Sequence, residues 1–180
     1  MKSKLLFLLV LFVSFASCQK EGVDYLRIKG ITERTMDGSL TYLYFDPDDW
    51  NLNDQFTKRE KRLFEGLDFS KTTEAEPPYF EEMEGMVSEF TSPRIYFYPN
   101  PFSEITYIGY YHSDHIINLV VVDNHYNKLY SYRGEVGRIS AISWVWLDSG
   151  IYRMYYVIQD KNDNIIHCGH GDILKSIDDF

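Results

Sequence analysis

Cysteine is nearly absent from this chain: Cys18 and Cys168 are the two in 180 residues. One pair cannot supply the disulfide framework of a small secreted scaffold, so the fold has to stand on packing. A membrane-spanning run is missing as well. The apolar stretch Leu5–Ser17 is 13 residues, short of the roughly 20 that cross a bilayer as a helix. Positive charge is scarce, with 18 Lys+Arg against 27 Asp+Glu and a formal charge of −9. That balance gives no electrostatic footprint for nucleic acid, and none is expected for an anionic lipid surface. No Gly-rich phosphate loop, nucleophile elbow, paired-carboxylate site or zinc-protease helix occurs. The chain is therefore read as a non-enzyme without a resident cofactor.

Aromatic residues are what it has in excess: 17% of the chain, with 15 Tyr and 12 Phe. That bias favours strands, and a hydrophobic content of 44% is ordinary for a folded protein. The N-terminus carries Lys2 and Lys4, then unbroken apolar sequence from Leu5 to Val13, then Phe15-Ala16-Ser17-Cys18. This is a secretory signal peptide over residues 1–17. It resembles the bacterial lipobox, with Phe15 where Leu is more usual, and the resemblance implies that Cys18 is the first mature residue, thioether-linked to lipid. Two or more acyl chains anchor stably where one is marginal. Gln19-Lys20-Glu21-Gly22 resembles the surface-export signal of lipoproteins in the Gram-negative group that uses type IX secretion. It implies an outer-membrane protein facing outward on a lipidated tether of residues 18–22. Processing removes two lysines and no acid, leaving a formal charge of −11 on 163 residues. Cys168 then has no intramolecular partner and reads as a buried free thiol.

Residues 23–67 read as a small α+β region. Leu26 and Ile28 recur with period two in a first strand, Asp37-Gly38 is a hairpin signal, and Leu40–Phe45 returns as a second strand. Thr57-Lys58-Arg59-Glu60 is a capping box opening a short helix to about Gly66, with Leu63 and Phe64 as its buried face. Residues 68–93 read as a linker. Ser70 to Pro78 is polar and ends in two prolines, and Phe80, Met83, Met86, Val87 and Phe90 then fall at helical spacing weakened by Gly85. Residues 94–174 settle into short strands separated by turn clusters: Ile95–Tyr98, Ile105–Tyr111, Ile116–Val122, Lys128–Tyr132, Ile139–Leu147, Ile151–Ile158 and Asn164–Gly169. That pattern predicts a mainly β protein, a seven-stranded antiparallel immunoglobulin-like β-sandwich, closed by an acidic tail at 175–180. The stretch 139–147 is apolar on both sides and is expected to be a central strand, or one covered on both faces.

Two motifs in this region carry a resemblance. Tyr98-Pro99-Asn100-Pro101-Phe102, followed by Leu119-Val120-Val121-Val122-Asp123, and Leu147-Asp148-Ser149-Gly150-Ile151-Tyr152 are similar to elements of the C-terminal sorting domain of type IX secretion cargo. The resemblance covers about residues 94–173 and implies a seven-stranded sandwich. Asn124-His125-Tyr126-Asn127-Lys128 stands where that family has a Gly-Arg or Gly-Lys turn. Its lysine-rich end is replaced by Ser176-Ile177-Asp178-Asp179-Phe180. A lipidated chain has little need of a second export tag, so the resemblance is used for the fold and a sorting role is kept as an alternative.

Three constellations are candidate sites. Asp49, Asn51, Asn53, the Gln55 carbonyl and Glu60 occupy positions 1, 3, 5, 7 and 12 of a calcium loop, with Asp54 where that loop has Gly; the other reading is an Asx-rich turn feeding a capped helix. His112, His115, His167 and His170 form two short pairs able to hold a transition metal only if they converge; otherwise they are turn and surface histidines. Cys168 beside His167 is no thiol-imidazole pair, since strand neighbours point to opposite faces. Trp144 and Trp146 are expected to share a face, beside Tyr152, as a sugar-stacking platform or as core. The chain is thus read as a lipid-anchored envelope protein whose partners are the membrane and an envelope protein or glycan.

Overall fold

The computed structural model describes residues 25–41, 43–73, 95–110, 115–135 and 140–177. The signal peptide, Cys18 and its tether, the helical spacing from Phe80 to Phe90, His112, and residues 178–180 of the tail lie outside the described residues.

The described chain is mainly β. Its strands are β1 (Ile95–Tyr98), β2 (Ile105–Tyr110), β3 (Ile116–Val122), β4 (Lys128–Glu135), β5 (Ser140–Ser143), β6 (Gly150–Gln159) and β7 (Ile165–Lys175), with one short helix, α1 (Lys58–Lys61). They form two antiparallel sheets, three-stranded in the order β1-β2-β5 and four-stranded in the order β4-β3-β6-β7.

Alternation along the strands builds two apolar clusters, because successive side chains leave a strand on opposite faces. One contains Ile95, Phe97, Ile108 and Ile142 from the small sheet, together with Ile117, Leu119, Val121, Met154, Tyr156 and Ile158 from the large one. The other uses the opposite face of the large sheet, Val120, Val122, Tyr155 and Val157, and covers it with Leu26, Phe56, Leu63 and Phe64. The large sheet is therefore buried on both faces. β3 fits that place, since all its residues after Ile116 are buried.

Trp50 joins the two sheets. Its indole stacks on Phe97 of β1 at 5.3 Å and 8°, and on Tyr156 of β6 at 6.2 Å and 3°. Its backbone is left-handed, φ 62°, a conformation that costs a residue with a Cβ about 1–2 kcal/mol. Burial of the ring to 6% exposure offsets that cost.

β7 is an edge strand by sheet order, yet its edge is closed along its length by segments that come earlier in the chain. Ile165 exchanges bonds with Lys71 and Thr73. Cys168 donates to Leu52 and accepts from Asp54, and the His170 carbonyl accepts from Trp50. The Asp172 amide donates to the Asp49 carboxylate at 3.0 Å, and its carbonyl accepts from the Asn100 side chain. Leu174 donates to Asn100 Oδ1, its carbonyl accepts from Phe102, and Ser176 donates back to Phe102. Unpaired strand edges invite association, and this one is blocked. Residues 71–73, read as linker from their polarity, thus lie along the sheet.

Three expectations need correction. The 139–147 run is not a central strand: β5 ends at Ser143 and lies at the edge of the small sheet. Trp144 donates its amide to Glu104 at 2.7 Å and Leu147 donates back to Trp144 at 2.9 Å, closing a turn. The apolar residues are spent on that turn, with Trp144 and Leu147 buried and Val145 and Trp146 exposed. The N-terminal strands are likewise reduced to the isolated bridge Arg34↔Leu40, around the Asp37-Gly38 turn with Gly38 at φ 83°. Lacking a partner strand, Leu43, Tyr44 and Phe45 stand exposed. The capping box forms as expected, Thr57 N–H to Glu60 at 2.7 Å and Glu60 N–H to Thr57 Oγ1 at 3.3 Å. However, the helix ends at Lys61, and Leu63 and Phe64 are buried from the turn after it.

Candidate functional surface

The opposite edge of the large sheet contrasts with β7. β4 pairs with β3 alone, and among the described residues no backbone hydrogen bond reaches its other edge. It is eight residues long, against four each for β1 and β5 at the edges of the small sheet. Tyr130 and Tyr132 lie on the face of β4 that pairs with the buried Val121 and Leu119 positions. Trp146 packs its ring on Tyr130 at 5.5 Å and 30°, and on Trp144 at 5.8 Å. Trp146 is 47% exposed, Tyr132 39% and Val145 67%. The open edge is thus flanked by a half-exposed aromatic shelf held on the core by Trp144.

The platform predicted from Trp144, Trp146 and Tyr152 is therefore rearranged. Trp144 is fully buried and donates its indole N–H to Thr106 Oγ1 at 2.7 Å. Tyr152 donates its hydroxyl to the Asp148 carbonyl at 2.9 Å, which orders the turn before β6. Only Trp146 faces outward, and its ring partner is the half-buried Tyr130, which sequence reasoning did not single out. The period-two pattern of β4 was the available signal. Past the same turn a polar cleft of about 420 Å³ is lined by Glu104, Asp148, Ser149 and Lys175.

Of the residues of the calcium reading, Asp49, Asn51 and Glu60 have side-chain partners of their own. Asp49 is buried, with one carboxylate oxygen accepting from Thr32 N–H at 2.9 Å and the other from Asp172 N–H. Asn51 donates its side chain to Pro47 and its carbonyl accepts from the Tyr156 hydroxyl. Asn53 bridges to Cys168, and Gln55 is exposed. Both Glu60 oxygens are used, one by the capping box and one by the Tyr155 hydroxyl at 3.0 Å. The histidines divide between the two faces of the large sheet. His115 and His167 approach Tyr110 from two sides, at 5.8 and 6.2 Å, and His167 Nδ1 meets the Leu52 carbonyl at 3.2 Å. His170 lies on the other face, with Nδ1 against the Asp54 carboxylate. Among the described residues no group of three or more His, Cys, Asp or Glu could hold a metal ion.

A buried charge cluster was not read from the sequence. Arg153 grips Asp172 through two bonds of 2.6 Å. Burial pushes the Asp172 carboxyl up despite the guanidinium beside it, while the Asp172 bonds outweigh burial and hold Arg153 firmly charged. Burial, with the neighbouring charge of Asp172, pushes Asp49 up to about 7. The Cys168 thiol is pushed up to about 11 by burial and by Asp54, which makes it a poor nucleophile. Each group in this cluster is tied to backbone or to another side chain, an arrangement that locks the N-terminal segment to β7. No family model, no curated protein and no solved structure matches this chain.

Proposed function

We propose that this is a lipid-anchored, non-catalytic protein of the outer membrane that presents the β4 edge to an envelope protein as a strand-addition site. The observation that carries the reading is the asymmetry between the edges of one sheet. β7 is closed by three separate segments, whereas no described segment pairs with the outer edge of β4 beside Trp146 and Tyr130. Strand addition draws affinity from main-chain bonds and specificity from alternate side chains, and Tyr130 and Tyr132 alternate with Ser131 and Arg133 there. Anchoring rests on Lys2, Lys4, the apolar run and Cys18. The two sheets with a shared apolar cluster support an immunoglobulin-like sandwich, in which β1-β2-β5 and β4-β3-β6-β7 occupy the A-B-E and C′-C-F-G places. A sorting-domain role is the lesser reading of the same strands.

Photo-crosslinking from position 132 in the cells that make the protein tests the edge. A discrete adduct from 132, absent from position 71 beside the closed β7 edge, is expected; labelling equal at both sites overturns the reading. Mass spectrometry of the mature N-terminus tests the anchor, which fails if Cys18 carries no fatty acid.

A second reading is supported by Trp146 itself, a half-exposed indole next in sequence to Leu147, which lines the polar cleft with Glu104, Asp148 and Ser149. Stacking on an aromatic with hydroxyl-directed polar groups nearby is the chemistry of glycan recognition. Glycan-array binding that disappears in Trp146→Ala would favour it over the protein partner.

A further inference from the structure

We infer that the face built from α1, the turn 123–127 and Tyr25 is the surface this protein turns toward an anionic lipid bilayer. The inference rests on the reading of Cys18 as the anchor and adds to it an orientation and a headgroup chemistry.

The overall charge of −9 conceals a local excess of the other sign. Lys58, Arg59, Lys61 and Arg62 place four cations within five residues, with Glu60 as the one acid among them. All four are exposed, and Glu60 is turned inward onto Thr57 and Tyr155. Lys128 adds a fifth cation, its Nζ 3.1 Å from the Leu63 carbonyl just past the helix and 3.8 Å from Glu65; with Asp123 of the turn, the face sets five cations against three acids.

The described chain begins on the same face. Tyr25, the first described residue, sets its ring against His125 at 5.0 Å, and Leu26 donates to the Asn124 carbonyl at 2.8 Å. Arg59 reaches that turn from the other side, donating to the His125 carbonyl at 3.2 Å with its guanidinium 3.9 Å from the centre of the Tyr126 ring. Tyr25 lies seven positions after Cys18, a reach of at most about 25 Å. An anchor at Cys18 therefore holds this end of the domain against the bilayer. Tyr25 is 59% exposed, and tyrosine favours the headgroup level.

The strand register identifies a control at the far end. Val122 pairs with Arg153 and Ile116 with Gln159, so the turn 160–163 with Lys161 lies at the other end of β3, about 20 Å away. Membrane-proximal basic residues draw anionic lipid within a Debye length of the surface. Lys58 and Lys61 should feel that field, and Lys161 should not.

The test couples the mature chain, residues 18–180, through Cys18 to maleimide lipid in vesicles, which supplies the anchor whether or not cells attach one. Lysine acetylation is then followed by mass spectrometry on pure phosphatidylcholine and on vesicles containing phosphatidylglycerol. Lys58 and Lys61 are expected to react at least about threefold more slowly on the anionic vesicles, with Lys161 unchanged and the protection lost in about 0.5 M salt. Equal rates on both vesicles, equal protection of Lys161, or protection that survives the salt would each overturn the inference. Absence of fatty acid on the native Cys18 would instead defeat the anchoring reading alone.

Discussion

Gly171 of β7 lies directly against the indole of Trp50: a Cβ at position 171 would sit 2.3 Å from the ring. The glycine is what allows a large ring, on a left-handed backbone, to enter between Phe97 and Tyr156. Gly171→Ala is therefore expected to lower stability by about 1–3 kcal/mol, as overpacking does. Urea unfolding checks it. Adding Trp50→Leu should recover part of the loss, because the two sites touch; an alanine variant as stable as the parent would contradict the close approach.

Arg153 and Asp172 are a buried pair, the carboxylate side chain 1% exposed. Arg153→Met strands that carboxylate and should cost about 3–5 kcal/mol, whereas Arg153→Met with Asp172→Asn should cost distinctly less. Chemical denaturation of the parent and the two variants gives the comparison, and a single variant milder than the double would show that the pair is not holding β7.

Asp49 makes stability depend on pH in the unusual direction for a carboxylate. Its folded value, about 7, is above the ordinary 3.8, so the folded state keeps a proton that the unfolded chain releases. The stabilisation is complete below 3.8 and is lost as pH rises through 7. Relative to Asp49→Asn, the parent should lose a few kcal/mol between pH 4 and pH 8. Parallel stability curves for the two proteins would mean that Asp49 titrates normally.

Cys168 should be nearly inert in the folded protein. With the thiol pushed up to about 11, the reactive thiolate at pH 8 is roughly 100-fold scarcer than for a free cysteine. Iodoacetamide labelling should accordingly be slow in buffer and fast in urea, and comparable rates in both would refute the burial.

The sequence predicted the strands best where alternation runs into turn chemistry. Ile95–Tyr98 and Ile116–Val122 have the expected limits, since each has apolar residues at the right period and Asn, Asp or Pro beyond its end. Period and composition misled at 139–147, because a buried Trp followed three residues later by a buried Leu fits a turn as well as a strand. What no local pattern carries is pairing between distant segments. Asp49 with Asp172, Trp50 with Gly171, and Trp146 with Tyr130 are separated in sequence and meet only in the fold, so neither the charge cluster nor the aromatic shelf could be read in advance. The basic residues 58–62 were visible, but totalling charge over the whole chain hid them.

The way β7 is sealed also sets an order of events. Residues 49–54 and 71–73 leave the ribosome well before β7, the strand whose backbone groups satisfy them. Until Ile165–Lys175 is available, those two segments have no strand edge to close on. A nascent N-terminal segment of this design waits, unpaired, for a strand far downstream of it.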